Sequence, residues 1–247
     1  MKVSIITATY NSASTILDTI KSIESQSYES IEYIIVDGNS SDDTIELIQK
    51  NCTKVSTFII EKDKGIYDAL NKGLAVATGD IVGFLHSDDL FASENSISNL
   101  VSAFENDSDA IYADLEYVQK SDTNKVVRLW KSGVFNISKI NNGWMPPHPT
   151  FYMRTSLYKK YGSFNLDYKI AADYDSLLRY LWVNKVQVSY LPEVLIKMRV
   201  GGASNRSLKN IYQKSLEDIK ALKSNKVPVF KAFIIKNISK IPQFIFK

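Results

Sequence analysis

Two adjacent acidic residues, Asp88 and Asp89, follow a short apolar segment in the first half of a chain of 247 residues. Neighbouring carboxylates repel each other, and a divalent cation offsets that repulsion because hard cations prefer oxygen ligands and also bridge phosphate groups. The alternative is that the pair begins the next helix, since aspartate is a favoured N-cap residue. The pair therefore predicts either a metal site or a helix start.

Polar residues also follow the other apolar segments of the first half, namely Tyr10, Asp37 and Asp63. The carboxyl ends of parallel strands meet along one edge of a sheet, and ligands bind in the crevice beyond that edge. An aromatic ring beside a carboxylate can hold a nucleobase, although Tyr10 has the alternative of being a buried tyrosine with a bonded hydroxyl. We expect these residues to line one crevice with Asp88 and Asp89.

Residues 61–73 are rich in polar groups for a junction between a strand and a helix. Gly65 permits close approach of a ligand to the backbone, and a helix N-terminus favours anions. The alternative is an exposed helix with ion pairs such as Asp68 with Lys72. Asn71, which lies among apolar helix positions, fits that alternative less well.

The composition is that of a folded protein, with 45% hydrophobic and 23% charged residues. The net charge of +3 is too small to indicate nucleic-acid binding. One cysteine, Cys52, excludes an intrachain disulfide, and with two histidines it makes a Cys/His zinc site unexpected. The chain has no GxGxxG after its first strand and no GxxxxGKS/T segment, which disfavours a Rossmann dinucleotide site and a P-loop.

The elements that must position these residues alternate between strands and helices. Short apolar segments predict strands at 3–6, 31–36, 57–61 and 81–85, and helical periodicity predicts helices at 14–25, 44–50 and 66–77. This alternation indicates a mostly parallel sheet with right-handed crossovers. The second half predicts an antiparallel pair at 110–117 and 125–129, a helix beginning near Ala172, and two strands at 186–190 and 194–199.

Five segments in this order resemble the successive motifs of family 2 glycosyltransferases of the GT-A fold: VSIITATYN at 3–11, IVDGNSSD at 35–42, DKGIYDALNKG at 63–73, ATGD at 77–80 and SDD at 87–89. The resemblance implies an α/β fold with a single Rossmann-like, mostly parallel sheet flanked by helices. A small antiparallel extension on the acceptor side and C-terminal helices would complete it. The predicted domain covers residues 1–205, divided into a nucleotide-sugar half (1–110) and an acceptor half (111–205), with a helical tail at 206–247.

The resemblance also implies an activity, the inverting transfer of a sugar from a nucleoside-diphosphate sugar to a glycan acceptor with Mg²⁺ or Mn²⁺. We favour a UDP-sugar over a GDP- or dTDP-sugar, and an undecaprenyl-diphosphate-linked acceptor in O-antigen or capsule synthesis. One rival is a sugar nucleotidyltransferase, whose expected Gly- and Arg/Lys-rich loop is missing near the N-terminus. The other rival is a binding module without catalytic activity.

By this resemblance, the donor site is made by residues from the first half. Asp89 would ligate the metal that bridges the diphosphate, and Asp88 would approach the ribose or the metal. The motif is Ser-Asp-Asp where many relatives have a spaced Asp-x-Asp, so the direct ligand is left open between the two. The residues expected to line or adjoin the base and ribose pocket are Thr9, Tyr10, Asp37, Asp63, Gly65 and Asn71.

The second half is expected to supply the general base, which takes the proton of the attacking acceptor hydroxyl. The segment around residues 162–175 resembles the family region with a Glu-Asp motif, which places the base at Asp173, although Ala172 stands where the first acid belongs. Asp175 is the competing residue, and its alternative role is an ion pair with Arg179 on the helix surface. Asp173 has the alternative role of a helix cap.

Two further segments of the second half resemble parts of the family site. His148 lies in a proline-rich loop and would be near the acceptor and the diphosphate, with an ordinary loop histidine as the alternative. Arg199 and Ser204 flank two glycines and would close over the diphosphate, with a simple turn as the alternative.

The tail beyond residue 218 contains lysines and no acidic residues. On a helical wheel Phe230, Ile234, Ile238 and Ile241 share one face, and Lys236 and Lys240 lie opposite. Such a helix suits an anionic membrane surface, and the alternative is a helix docked on the core. Because no apolar segment is long enough for a membrane span, we expect a cytoplasmic protein bound peripherally to the inner face of the membrane.

Overall fold

The computed structural model describes residues 1–104, 108–201 and 208–238. One nine-stranded sheet has the strand order β3 (Val55–Ile60), β2 (Ile31–Asp37), β1 (Val3–Thr9), β4 (Ile81–Phe84), β8 (Tyr152–Arg154), β6 (Ala110–Val118), β9 (Val188–Arg199) and β5 (Leu90–Phe91), with β7 (Val126–Trp130) paired to β6 at the side of this path. The first four strands in this order are mutually parallel, and β8 then enters antiparallel between β4 and β6. The sheet therefore combines a parallel half with a mixed half.

The parallel half is built as predicted from alternating strands and helices. Its strands and helices are β1 (Val3–Thr9), α1 (Ile16–Glu24), β2 (Ile31–Asp37), α2 (Thr44–Asn51), β3 (Val55–Ile60), α3 (Ile66–Val76) and β4 (Ile81–Phe84). All seven residues of β1 are buried. Alternate residues point to opposite faces, so that Val3 and Ile5 join one apolar core while Ile6 and Ala8 join the other.

The mixed half contains β5 (Leu90–Phe91), α4 (Ser96–Ala103), β6 (Ala110–Val118), β7 (Val126–Trp130), β8 (Tyr152–Arg154), α5 (Thr155–Tyr161), α6 (Ala172–Leu178) and β9 (Val188–Arg199). The antiparallel pairing of β6 with β7 is as predicted. The short strands β5 and β8 and the helices α4 and α5 were not predicted. Strands of two or three residues carry no periodicity from which to predict them.

The prediction of two separate strands at 186–190 and 194–199 was wrong, because β9 is one continuous strand. It pairs in parallel with β6, and the register shifts where Leu191 opposes Ala113 and Val194 opposes Asp114. Pro192 therefore lies in a bulge, where a residue without a backbone N–H is tolerated inside a strand.

Two C-terminal helices, α7 (Leu208–Ser224) and α8 (Val229–Ile238), pack against the α/β domain. Lys236, predicted on the solvated face of the tail, is instead 4% exposed. Its ammonium lies 3.0 Å from an Asp218 carboxylate oxygen and 3.2 Å from the centroid of the Tyr174 ring. That prediction was wrong because α7 supplies a buried partner charge; Lys240 and Ile241 lie outside the described residues. No helix in the described ranges is long and apolar enough to cross a membrane.

Near the start of β2, at the amino ends of the strands, a buried carboxylate is held by donors from three segments of the chain. Glu32 accepts hydrogen bonds from Lys2, Ser4 and Thr78. Burial acts to raise the pKa of Glu32, but the bonds from Lys2, Ser4 and Thr78 outweigh it and lower the pKa from 4.5 to about 2. This network ties β1, β2 and the segment before β4 together, at the end of the strands opposite to their carboxyl ends.

Candidate active site

The carboxyl ends of β1 and β2 lie side by side, with Thr9 opposite Asp37. The Asp37 carboxylate is fully buried and accepts two hydrogen bonds of 2.7 Å from Ser40, one from its amide and one from its hydroxyl. The Gly38 amide donates to the carbonyl of Thr9, and the Thr9 hydroxyl is buried without a hydrogen-bond partner in the described part of the chain. Asp37 therefore holds the β2–α2 loop in place through its two hydrogen bonds with Ser40.

The aromatic side of the site is open to solvent. Tyr10 is 62% exposed. A Cβ atom on Gly38 would lie 3.2 Å from the Tyr10 ring and 2.6 Å from an Asp63 carboxylate oxygen. Tyr10 and Asp63 therefore approach the same glycine, and the buried alternative for Tyr10 does not hold. An exposed ring beside a carboxylate is a surface on which a planar base can stack.

Helix α3 begins beside this surface. Gly65 precedes its first turn with φ of +114°, a conformation that side-chain-bearing residues rarely adopt, and its amide donates to Asp63 at 2.8 Å. Asn71 is used differently from our expectation of a donor contact. Its amide exchanges two hydrogen bonds with the backbone of Phe164, at 2.8 and 2.9 Å, and so ties α3 to the second half of the chain.

The Asp88–Asp89 turn is held by its backbone. Arg199 donates to the Asp88 carbonyl at 2.6 Å, Thr19 donates to the Asp89 carbonyl at 2.8 Å, and the Asp89 amide donates to His86. These three hydrogen bonds fix the main chain of the turn, and they thereby fix the position of both side chains just after the end of β4. The turn is linked to the β1–α1 loop by the hydroxyls of Ser12 and Ser87, which are 2.9 Å apart.

Asp89 is the unusual carboxylate of this turn. It is 1% exposed, and neither of its carboxylate oxygens has a hydrogen-bond partner among the described residues. Burial raises its pKa well above the ordinary value, the Asp88 charge raises it further, and Arg199 acts in the opposite direction. A buried carboxylate with two unpartnered oxygens beside a second carboxylate fits a divalent cation, which would satisfy both. No group of three or more metal-binding side chains occurs in the described ranges.

The second half of the chain brings Asp173 to the site. It lies in the first turn of α6, and its Oδ1 is 3.2 Å from the hydroxyl of Tyr67 on α3 and accepts the Tyr174 amide at 2.8 Å. Burial lowers the pKa of His86, and the charges of Asp88 and Asp173 act in the opposite direction. Asp88 and Asp173 therefore both lie near enough to His86 to act on its charge.

His148 is buried next to His86, with their ring centroids 6.0 Å apart. It stacks on Phe84 at 5.3 Å. Burial lowers the pKa of His148 to about 4, because it outweighs the Asp173 charge, and His86 lowers it further. His148 is thus a neutral imidazole at physiological pH, in the floor of the site.

Asp175, the competing candidate for the base, is not brought to the site. It is 5% exposed and accepts a hydrogen bond of 2.8 Å from Asn225, after the end of α7. The surface pair with Arg179 is also missing from the described ion pairs, since Arg179 donates to the Ser163 carbonyl. Two residues apart on a helix, Asp173 and Asp175 point in nearly opposite directions.

Arg199 is placed beneath the acidic pair. It is 5% exposed, and besides the Asp88 carbonyl it binds the Asp18 carboxylate and the Lys120 carbonyl. It therefore positions the turn from inside the fold. Ser204, the other residue expected to close over the diphosphate, lies outside the described residues.

Three site residues were not singled out from the sequence, namely Tyr67, His86 and Thr19. Tyr67 lies inside the DKGIYDALNKG segment and His86 directly precedes the SDD segment, so their neighbours were a usable signal. Thr19 on α1 has no such signal, because its contact with Asp89 joins residues 70 positions apart.

The family model for glycosyl transferase family 2 matches residues 4–165, which is more than half of the chain. The protein belongs to glycosyl transferase family 2. The family match agrees with the resemblance of the five sequence segments, and it ends before α6 begins.

Similar proteins carry related descriptions. An uncharacterized glycosyltransferase of Mycobacterium tuberculosis is 31% identical over 193 residues, covering 72% of this chain and 68% of the relative. A PGL/p-HBAD biosynthesis glycosyltransferase of Mycobacterium bovis is 28% identical, covering 86% of this chain and 83% of the relative. A UDP-Glc:alpha-D-GlcNAc-diphosphoundecaprenol beta-1,3-glucosyltransferase of Escherichia coli is 30% identical, covering 86% and 84%.

Solved structures share the fold at low sequence identity. S. aureus TarS 1–349 in complex with UDP-GlcNAc has a TM-score of 0.73 and 20% identity, covering all of this chain and 73% of TarS. The mannosyltransferase PcManGT of Pyrobaculum calidifontis, in complex with GDP-Man and Mn²⁺, has a TM-score of 0.65 and 17% identity, covering 100% and 76%. The predicted GT-A fold is confirmed, and this family 2 chain is a glycosyltransferase.

Proposed function

We propose that this family 2 glycosyltransferase is an inverting, metal-dependent enzyme that transfers a sugar from a UDP-sugar to a lipid-linked glycan acceptor. The observation that carries the proposal is Asp89, a buried carboxylate next to Asp88 whose two oxygens have no hydrogen-bond partner among the described residues. Asp88 and Asp173 both act on the charge of His86, which follows β4. A divalent cation held by Asp88 and Asp89 would bind the donor diphosphate, and Asp173 comes from helix α6 in the second half of the chain, from which a base for the acceptor is expected.

Asp173 is proposed as the general base. It takes the proton from the acceptor hydroxyl while that oxygen forms a bond to the anomeric carbon, and the bond from this carbon to the diphosphate breaks. Attack from the side opposite the leaving group inverts the anomeric configuration. Both hydrogen bonds described above fall on Oδ1 of Asp173, from Tyr67 and from the Tyr174 amide, and they hold the carboxylate in one orientation.

Asp89 and Asp88 are proposed to hold Mg²⁺ or Mn²⁺ together with oxygens of the donor diphosphate. When bound, the cation would neutralise the charge that develops on the leaving diphosphate. Arg199 and Thr19 contribute by holding the carbonyls of the acidic turn, so that little reorganisation is needed when the donor binds. PcManGT, which shares the fold, is described with Mn²⁺.

The donor is proposed to be a UDP-sugar, with its base stacked on the exposed ring of Tyr10 near Asp63 and Gly65. Thr9 and Asp37 would support the ribose side, Asp37 through the loop that Ser40 begins. The preference for UDP rests on the E. coli relative, named for UDP-Glc, and on TarS with UDP-GlcNAc. PcManGT with GDP-Man makes a GDP-sugar the donor to test against it.

The acceptor is proposed to be an undecaprenyl-diphosphate-linked glycan of O-antigen or capsule synthesis, because the E. coli relative is named for a diphosphoundecaprenol acceptor. A cytoplasmic protein bound peripherally to the inner face of the membrane would meet such an acceptor. The C-terminal helices support this proposal, since they expose large apolar side chains beside lysines. These apolar residues are Ile211, Tyr212, Leu216 and Phe230, of which Phe230 is 81% exposed.

A thermal-shift assay with UDP, GDP and dTDP, each with and without Mn²⁺, tests the donor proposal. We expect the largest rise in melting temperature with UDP and Mn²⁺ together. A larger rise with GDP would replace the donor, and equal rises with and without Mn²⁺ would remove the metal. Asp173→Asn should keep the UDP shift and lose most of its transfer to acceptor, leaving a small residual rate; normal transfer would place the base elsewhere.

A further inference from the structure

Helix α6, which carries Asp173, begins without a cap from its own segment. Its N-cap position is Ala171, which has no side-chain hydrogen bond to offer. The first amides of a helix and those just before it need acceptors when they are buried. The acceptor comes instead from α7, from the side chain of Glu217.

Glu217 is 5% exposed, and its carboxylate accepts hydrogen bonds from three successive amides. The distances are 3.1 Å from Lys169 to each oxygen, 2.8 Å from Ile170 and 2.9 Å from Ala171. Gln213 on the same helix donates a further bond of 2.8 Å. Burial acts to raise the pKa of Glu217, but the bonds from Gln213 and the three amides outweigh it and lower the pKa.

The same short segment is bound from the other side by the donor half. The Tyr67 hydroxyl lies 2.7 Å from the Ile170 carbonyl oxygen and 3.2 Å from Asp173 Oδ1. Ile170 is therefore held through its amide by Glu217 and through its carbonyl by Tyr67. Asp173 is three residues further along the chain, so the direction of its carboxylate depends on where this segment is held.

We propose that Glu217 is a positioning residue, whose carboxylate fixes residues 169–171 and thereby aims Asp173 at the acceptor hydroxyl. The inference rests on the proposed function, because it assumes that Asp173 is the base. It assigns a task to the C-terminal helices that lies beyond residues 4–165, the part matched by the family model. Glutamine replaces this carboxylate only in part. Its oxygen could take the place of Oε2, which accepts from all three amides, but its NH₂ group would then face the Lys169 amide and the NH₂ group of Gln213.

The test compares Glu217→Gln with Glu217→Asp and with a matched control, Glu32→Gln, in the full-length protein. Glu32 is also a buried carboxylate with several hydrogen-bond donors, but it lies near the amino ends of the strands, away from the candidate site. We expect Glu217→Gln to lower kcat by about 10- to 100-fold, the cost of a small misplacement of a reacting group. The KM for the donor and the UDP thermal shift should be unchanged, and Glu217→Asp should recover part of kcat.

Glu32→Gln should lower the melting temperature yet keep kcat, measured well below the melting temperature of each variant. In the Asp173→Asn background, adding Glu217→Gln should not reduce the residual rate further, since the two residues act on one step. A wild-type kcat for Glu217→Gln, or fully additive losses in the double variant, would overturn the positioning role. Normal transfer by Asp173→Asn alone would instead overturn the proposed base, which is a separate outcome.

Discussion

Asp89 should be a residue that lowers stability in the absence of ligand and is required for donor binding. Asparagine keeps polar atoms at this buried position but removes the negative charge, which burial and the neighbouring Asp88 disfavour, as the raised pKa of Asp89 reflects. The expected gain is therefore the extra cost of a charged group over a neutral polar one. An unsatisfied buried polar group costs about 1–3 kcal/mol, and more when charged. We therefore expect Asp89→Asn to stabilise the ligand-free protein by about 2 kcal/mol. For a chain of this size that corresponds to a melting temperature higher by about 4–8 °C.

The ligand should reverse this order. UDP with Mn²⁺ at about 100 times its Kd stabilises the protein that binds it by about 2.7 kcal/mol. Wild type should gain this shift, and Asp89→Asn should not, because one of the two carboxylates at the proposed metal site is gone. Differential scanning fluorimetry of both proteins, with and without UDP and Mn²⁺, measures all four melting temperatures.

Asp218→Asn is the matched control for this measurement. Asp218 is equally buried but is paired with Lys236 at 3.0 Å, away from the acidic turn. Removing one partner of a buried ion pair costs about 3–5 kcal/mol, so this variant should melt below wild type and still respond to UDP and Mn²⁺. If Asp89→Asn melts below wild type without ligand and keeps the Mn²⁺-dependent shift, the reasoning about Asp89 is refuted.

Three further predictions concern the support of the site. Arg199→Lys should lower the free energy of unfolding by about 1–3 kcal/mol, because lysine cannot hold the Asp88 carbonyl and its other partners at once; urea titration measures this, and an unchanged midpoint would contradict it. Tyr67→Phe should lower kcat by roughly 3- to 10-fold with an unchanged donor KM, since a typical hydrogen bond contributes about 1 kcal/mol; initial-rate kinetics decide, and a raised donor KM alone would contradict it. Glu32 has a folded pKa of about 2 against 4.5, so it contributes roughly 3 kcal/mol above pH 5, which is lost as the pH falls toward 2. Urea unfolding between pH 7 and 3 should show a smaller acid loss for Glu32→Gln than for wild type.

The part of the site at the carboxyl ends of β1, β2 and β4 was largely predictable from the sequence. The strands β1, β2 and β4 are short apolar segments, and each is followed at once by polar residues, so their order along the chain already placed Tyr10, Asp37 and the acidic pair at one edge. The five motif segments then pointed to the family that the comparisons confirmed. These are local patterns, in which a strand and the residues that follow it are neighbours in the sequence.

The support of that site was decided by tertiary structure. Only the packing of α6 between α3 and α7 determines that Asp173 faces Tyr67 while Asp175 faces Asn225. Glu217 likewise acts on residues more than 45 positions earlier in the chain.

Helical periodicity predicts which side chains share a face of a helix, but not which charged groups of other helices pack against that face. The sequence therefore did not show that Lys236 is buried beside Asp218. The sequence by itself determined that the candidate site lies at the carboxyl ends of the strands, because the polar residues directly follow the strands in the chain. Tertiary contacts decided which carboxylates are buried, paired or unpartnered there, because burial and pairing depend on groups brought together from distant parts of the chain.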